Sequence, residues 1–359
     1  MDKKNIRSVA FHFKYARYLF VTLCTVFFGV TDGNLNAQDI HLSQFFEAPL
    51  WRNPSLAGIF SGDVRFQGVY RSQWASVTVP YKTGSFNGEF KMPLGQTNDF
   101  LTIGGQLMYD RAGSTNFTTT HLLPAINFHK SLSDQNNAFL SLGFMGGLVQ
   151  RSIDPSKITT NSQWDGSGYN SSLNINESLA NYNLKYGDAS VGMSFNSGIG
   201  GSEYDNFFVG VAYHHFNRPM NSFYRDPEIE LKAKWVYSLG VRFGITPSTY
   251  LTIQADQTSQ GTYKELLGGA MVGVALQGYD FNESKYNLHA GGYLRWKDAF
   301  IPVIKMDYKP FSIALSYDVN ISQLKSASQG RGGFELSVSY QGFLDRDNST
   351  KNAVICPRF

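Results

Sequence analysis

Residues 311–321 read F-S-I-A-L-S-Y-D-V-N-I, and residues 331–343 read R-G-G-F-E-L-S-V-S-Y-Q-G-F. In the first, Phe311, Ile313, Leu315, Tyr317 and Val319 alternate with Ser312, Ala314, Ser316, Asp318 and Asn320. In the second, Phe334, Leu336, Val338 and Tyr340 alternate with Glu335, Ser337, Ser339 and Gln341. Successive side chains of a strand point to opposite faces, so a strict period of two gives one apolar face and one wet face. A soluble sandwich shares that pattern, but its strands typically run ~5–6 residues. These two stretches span 11 and 13 residues, and crossing the hydrocarbon of a bilayer needs ~9–11 tilted residues. They predict membrane-crossing strands with the apolar face to lipid and the wet face to a lumen.

The same reading extends outward. Trp235, Tyr237, Leu239, Val241, Phe243 and Ile245 alternate with Lys234, Ser238, Gly240, Arg242 and Gly244, and Leu251, Ile253 and Ala255 with Thr252, Gln254 and Asp256. The predicted strands are 63–73, 81–92, 99–111, 115–131, 136–151, 186–198, 204–216, 231–246, 248–259, 261–278, 284–297, 299–309, 311–321 and 331–343. That is fourteen, an even number, as single-chain bacterial barrels have. Pro124 lies mid-strand and predicts a bulge, and 261–278 is apolar on both faces, so its register is ambiguous. With the barrel starting at the periplasmic side, the two longest connections, 152–185 and 217–230, follow odd strands and fall outside. Turns such as Thr246-Pro247-Ser248 and Lys309-Pro310 fall inside, matching the short-turn, long-loop asymmetry of outer-membrane barrels. Trp51, Trp74, Tyr81, Tyr109, Trp235, Tyr250, Trp296 and Tyr308 sit near strand ends and predict an aromatic girdle.

Composition agrees. Aromatics make up 15% of the 359 residues, glycine is high at 35, and charged residues are only 16%, against ~25% in ordinary soluble domains. Such a chain is neither disordered nor a coiled coil. Residues 1–37 predict a signal peptide: a basic start, an apolar run Leu19–Val30 and the small-residue site Leu35-Asn36-Ala37. Its removal leaves 26 Lys/Arg against 26 Asp/Glu, so no basic surface for nucleic acid is expected. Cys24 leaves with it, and the remaining Cys356 has no intramolecular partner for a disulfide. The expected organisation is 1–37 signal peptide, 38–62 an N-terminal docking or plug segment, 63–343 the barrel and 344–359 a tail.

Catalytic chemistry is not expected. The histidines lack metal-site spacing, and the adjacent His214 and His215 would point to opposite faces of a strand. G-x-S-x-G, phosphate-cradling and H-E-x-x-H motifs are absent from the sequence, and no cofactor or metal is expected. Arg65, Arg71, Glu89, Lys91, Asp256, Arg295, Lys297, Lys305, Asp307, Asp318 and Glu335 fall on the wet phase and should face the lumen. They would either close it with ion pairs or line a pore. The connection 152–185 is rich in Asn, Ser and Gly around Trp164. Residues 43–62 are too irregular for a strand and too apolar for a free tail, so they should dock in the barrel mouth or on a periplasmic partner.

The stretch S-Q-F-F-E-A-P-L-W-R-N-P-S-L-A-G at 43–58, followed by Tyr70-Arg71-Ser72-Gln73-Trp74, resembles the PorP/SprF family of Bacteroidetes outer-membrane proteins. The segments Tyr317–Asn320, Gly330–Glu335 and Cys356–Phe359 fit as well, and Ser55 stands where that family commonly has alanine. The resemblance implies an outer-membrane component of type IX secretion or gliding motility. It would bind the secretion machinery, a secreted adhesin with a type B C-terminal sorting domain, or both. The rival expectation is a channel, either a porin or a transporter of hydrophobic compounds. The candidate partner-binding residues are Trp51, Asn53, Pro54, Gly58, Arg71, Trp74 and Trp164. Cargo is expected at the outer loops and machinery at 38–62.

Overall fold

The computed structural model describes residues 39–344 except 77, 96, 177–180, 201–204, 279–280, 282–283 and 324. The expected signal peptide with Cys24, and the tail with Cys356, lie outside the described residues. Fourteen strands follow in order: β1 (Val64–Gln73), β2 (Tyr81–Pro93), β3 (Phe100–Ala112), β4 (Phe117–Ser133), β5 (Ala138–Ser152), β6 (Asn183–Gly198) and β7 (Asn206–His214). Then come β8 (Lys234–Thr246), β9 (Thr249–Gln260), β10 (Tyr263–Ala275), β11 (Tyr286–Arg295), β12 (Ala299–Tyr308), β13 (Phe311–Asn320) and β14 (Arg331–Gly342). Each pairs antiparallel with its sequence neighbours, and β14 closes on β1, with Val64 opposite Gly342 and Arg71 opposite Glu335. Closure leaves no sheet edge, which is what lets strands cross a membrane.

The period-two reading holds along the wall. On β13, Phe311, Ile313, Leu315, Tyr317 and Val319 are exposed on the outer face while every intervening residue is buried. The expected strand bounds agree with the observed ones to within about three residues, and several differences are informative.

The bulge expected at Pro124 does not form. The β4–β5 register is the same on both sides, Leu122 opposite Leu148 and Ala125 opposite Met145. The strand across from Pro124 carries Gly146 and Gly147, and a Cβ on Gly147 would fall 3.0 Å from the proline Cδ. A partner without side chains lets the proline stay in line. A register shift occurs instead at the end of β4, between Ser131 and Ser133, and another in β14's partner between Tyr317 and Val319, at Asp318. β10 is apolar on both faces because Leu267 and Met271 turn inward onto a lumen cluster with Phe45, Phe46 and Tyr293.

Three further residues depart from expectation. Lys297 lies past the end of β11 in a left-handed turn and is exposed, so it is not a lumen residue. Trp51 and Tyr250 are buried inside rather than placed in the girdle, whereas Tyr109, Trp235, Trp296 and Tyr308 are exposed on the outside.

The long connections 153–182 and 215–233 share one rim. The other rim carries short turns, apart from residues 276–285, whose Phe281 folds in against Tyr250 and His289. Residues 39–62 do not gather at the short-turn rim with which they were expected to associate. Asp39 lies beside His215 and Lys234 at the long-connection rim, and Asp63 pairs with Gly342 at the opposite one. Between them the segment threads the lumen through three single turns, Phe45–Glu47, Pro49–Arg52 and Pro54–Leu56.

Detergent-purified protein is expected to show a β-rich circular dichroism spectrum and faster gel migration before boiling than after. A helical spectrum, or migration unaffected by heat, would contradict the barrel.

Candidate functional site

The lumen is lined by polar and charged side chains because the wall's inward phase is polar. Taken alone those charges would be costly: a buried ion without partner or water loses several kcal/mol. Some of them pair within the wall, as Arg65 does with Glu89 and Arg71 with Asp318 and Glu335, and residues 39–62 supply further partners in four places along the axis.

The first lies near the long-connection rim. The Ser43 and Gln44 amides donate to the two Glu335 oxygens at 2.6 and 2.7 Å. Arg71 pairs with Glu335 and, at 2.9 Å, with Asp318. Its Nη1 also donates to the Ser43 hydroxyl at 2.7 Å, and Arg295 donates to the same oxygen at 2.6 Å. Ser43 in turn donates to Asp318 at 2.9 Å. Two arginines and two carboxylates from β1, β11, β13 and β14 thus converge on one serine of the threaded segment.

At the second, Arg52 pairs with Asp256 and lies over the Phe45 and Phe208 rings at 4.7 and 4.8 Å. Glu47 accepts from Lys305 at 2.5 Å and from Gln67 at 3.1 Å.

The third is the tight turn of Asn53-Pro54-Ser55. The Asn53 side chain caps it by accepting from the Ser55 amide at 2.9 Å, the usual Asx geometry. The turn lies flat on the wall because β5 and β6 present glycines there. A Cβ on Gly143 would fall 2.5 Å from the Pro54 carbonyl, and one on Gly192 1.9 Å from Asn53 Oδ1. Asn127 ties the turn down by donating to the Ser55 and Ala57 carbonyls at 2.6 and 2.8 Å.

At the fourth, Gly58 adopts φ +83, and its Cβ would fall 2.0 Å from Thr102 Oγ1. Only glycine meets both demands. Its amide donates to Glu89 at 2.7 Å, and Glu89 is paired with Arg65 at 2.8 Å.

Where the segment enters, Asp39 contacts Lys234 and His215, and His215 also contacts Asp188 at 2.8 Å. Burial works against ionising Asp39, but the Lys234 ammonium and the His215 imidazole outweigh it and hold the carboxyl well below its usual range. Burial likewise opposes a charged His215, and its hydrogen bonds to Asp188 and Asp39 overcome that and raise its pKa.

Of the seven residues singled out from sequence, Asn53, Pro54, Gly58 and Arg71 lie within this network. Trp51 is buried beside it, donating its indole N–H to the Ile40 carbonyl at 2.9 Å and touching His121 edge-on. In this arrangement Trp51, Asn53, Pro54 and the Gly58 backbone face the barrel's own wall, of which Arg71 is a part. Trp74 lies apart at the end of β1, left-handed at φ 58 and packed on Tyr81 at 4.8 Å. Trp164 is 61% exposed in the long connection, where it bridges to Tyr169. Sequence reading missed Ser43, Glu47, Arg52 and Asn127. A signal was present: Glu47 and Arg52 are charges inside an otherwise apolar segment, which calls for buried partners.

Residues 34–340 match the family model of the type IX secretion system membrane protein PorP/SprF. The chain belongs to this family. Its S-Q and N-P-x-x-x-G elements, and Arg71 of the Y-R-x-Q-W element, are in this PorP/SprF protein parts of one internal contact between the threaded segment and the wall, while Tyr70 points outward and Trp74 lies apart. No curated protein matches the sequence significantly. Solved structures of related shape include the Ralstonia pickettii toluene transporter TbuX, at 8% identity and TM-score 0.45, over 82% of this chain and 92% of that one. A Pseudomonas aeruginosa FadL homologue matches at 9% and 0.48, over 82% and 94%. The translocator domain of the autotransporter NalP from Neisseria meningitidis matches at 10% and 0.38, over 79% and 90%. At these values neither activity nor cargo transfers to the PorP/SprF chain.

Two variants test the network. Arg71→Ala leaves Glu335 without its cation, while Asp318 keeps Arg295 at 3.3 Å, and should lower stability in detergent by about 3–5 kcal/mol, read by denaturant titration. Lys82→Ala, on the exposed outer wall, should stay within about 0.5 kcal/mol. Gly143→Val places a side chain where Pro54 sits and should displace the segment, making residues 39–62 cleavable by protease in an otherwise folded barrel.

Proposed function

We propose that this protein is an outer-membrane component of the type IX secretion machinery that works by holding partner proteins at its rims, not by conducting solutes or by catalysis. The observation that carries the reading is the threaded lumen. A channel needs a continuous wet path, and here residues 39–62 occupy the bore from one rim to the other, bonded to the wall through Ser43, Gln44, Arg52, Ser55 and Gly58. What remains for a partner is the outside of the two rims. The long-connection rim carries the larger offering: 153–182 with Trp164 and Tyr169 exposed, and 215–233 with Met220 and Tyr224 exposed. Exposed aromatics on a polar loop are the residues that dominate protein interfaces.

The partners proposed are a secreted adhesin with a type B C-terminal sorting domain at that rim and secretion components at the short-turn rim. The second contact replaces the expectation that machinery binds 38–62, since 39–62 are occupied inside the barrel. One feature favours the rival reading, a channel for hydrophobic compounds: a cavity of about 460 Å³ at the short-turn end, lined in part by Phe46, Phe60, Tyr250, Phe281 and Phe343. It runs against the threaded segment, with Phe46, Ile59 and Phe60 among its walls.

Deleting residues 160–180 should leave heat-modifiable migration intact, because shortening a surface loop costs little closure entropy, while surface retention of the adhesin falls. Unchanged retention would remove the loop from the proposal. In planar bilayers the intact protein should give no large steady conductance; a stable open-pore current would favour the channel.

A further inference from the structure

On the outer wall near the long-connection rim, four neighbouring strands place Ser72, Lys82, Arg111 and Thr118 in one outward row. Lys82 and Arg111 are direct cross-strand partners and both are exposed. Like charges so placed repel. Arg111 donates its Nε to Asn116 at 2.8 Å, which leaves the positive charge uncompensated. Among the described residues no carboxylate forms an ion pair with either side chain. Asp110, next in sequence, is bonded to Thr83 at 2.6 Å.

One row toward mid-membrane, the outward residues are Tyr70, Gly84 and Tyr109, again in direct register. The two tyrosines are 43% and 49% exposed. A Cβ built on Gly84 would meet nothing within 4 Å. The glycine thus floors an empty slot between two aromatic rings. Below it the row of Phe86 and Leu107 is exposed and apolar.

A pair of unneutralised cations at the rim, a slot with ring walls beneath and an apolar surface beyond it match the parts of an anionic amphiphile. We propose that this face binds a phosphate-bearing membrane lipid, with its phosphate between Lys82 and Arg111 and an acyl chain in the Gly84 slot between Tyr70 and Tyr109. A phosphate accepts charge-assisted hydrogen bonds from both cations and turns their mutual repulsion into a shared attraction. The tyrosines, apolar in the ring and wet at the hydroxyl, belong at the headgroup boundary.

The test uses the full-length protein in neutral detergent, incubated with lipid A, phosphatidylglycerol or phosphatidylcholine, with bound lipid counted by native mass spectrometry. Both anionic lipids should be retained over phosphatidylcholine. Lys82→Gln with Arg111→Gln should reduce anionic-lipid occupancy by at least about tenfold, since two charge-assisted bonds are lost. Gly84→Val, which the open space accommodates, should keep the cations yet weaken lipid retention by filling the slot. Heat-modifiable migration identifies variants that have folded. Equal binding of phosphatidylcholine, unchanged occupancy in the folded double-glutamine variant, or unchanged retention in Gly84→Val would overturn the site. Displacement of the lipid by excess inorganic phosphate would overturn the commitment to a lipid, since the cations would then be reading a free anion.

Discussion

A charge carried into the barrel interior must be met there. The inward phase of the wall brings Arg65, Arg71, Arg295, Glu89, Asp256, Asp318 and Glu335 into the bore, all buried. Attraction among buried ions repays their desolvation only when their remaining hydrogen-bonding capacity is also satisfied. Wall residues alone leave much of it unmet. The Ser43 hydroxyl between two arginines and Asp318, the Ser43 and Gln44 amides on Glu335, the Arg52 guanidinium on Asp256 and the Gly58 amide on Glu89 meet a large part of it. The threaded segment is therefore part of the barrel's electrostatics, and the barrel's interior is the segment's solvent.

That dependence also explains the local chemistry of residues 43–58. Single turns too short to be stable alone are each pinned by a wall contact: Phe45–Glu47 by Lys305 and the Tyr293 ring, Pro49–Arg52 by Asp256, Pro54–Leu56 by Asn127. The apolar members fill what the ions do not. Phe45 and Phe46 meet Leu267, Met271 and Ile301, while Leu50 and Ala57 meet Val69, Met108 and Met145. Inward-facing leucine and methionine on a barrel wall make sense only with such a filling.

The wall was legible in the sequence, which offered 38–62 as a docking or plug segment but not its course through the lumen or the contacts that hold it there. Alternation on β13 and β14, strand length and the parity of long connections each point to a fourteen-stranded barrel, because period two survives whatever fills the lumen. A lumen-facing arginine reads the same against water or against a plug, so the wet phase separates the open and closed alternatives only through its mixed signs, which point toward a closed interior because self-cancelling charges need not be hydrated one by one. Pro124 misled because its tolerance depends on Gly146 and Gly147 in the neighbouring strand. The register of 261–278 was ambiguous because Leu267 and Met271 serve the interior. Trp51 and Tyr250 looked like girdle residues because proximity to a strand end does not tell which face an aromatic takes. The N-terminal motif was found, but its wall partners are distant in sequence, Ser43 from Glu335 by 292 positions, and only the fold brings them together.

Hydrogen exchange of the full-length protein in detergent tests most directly whether residues 39–62 are a locked part of the barrel. The amides of Ser43, Gln44 and Gly58, which donate to Glu335 and Glu89, should exchange as slowly as those in the middle of β1. Exchange as fast as that of the exposed connection around Trp164 would mean that the segment leaves the lumen readily, and the closed-bore account would be wrong.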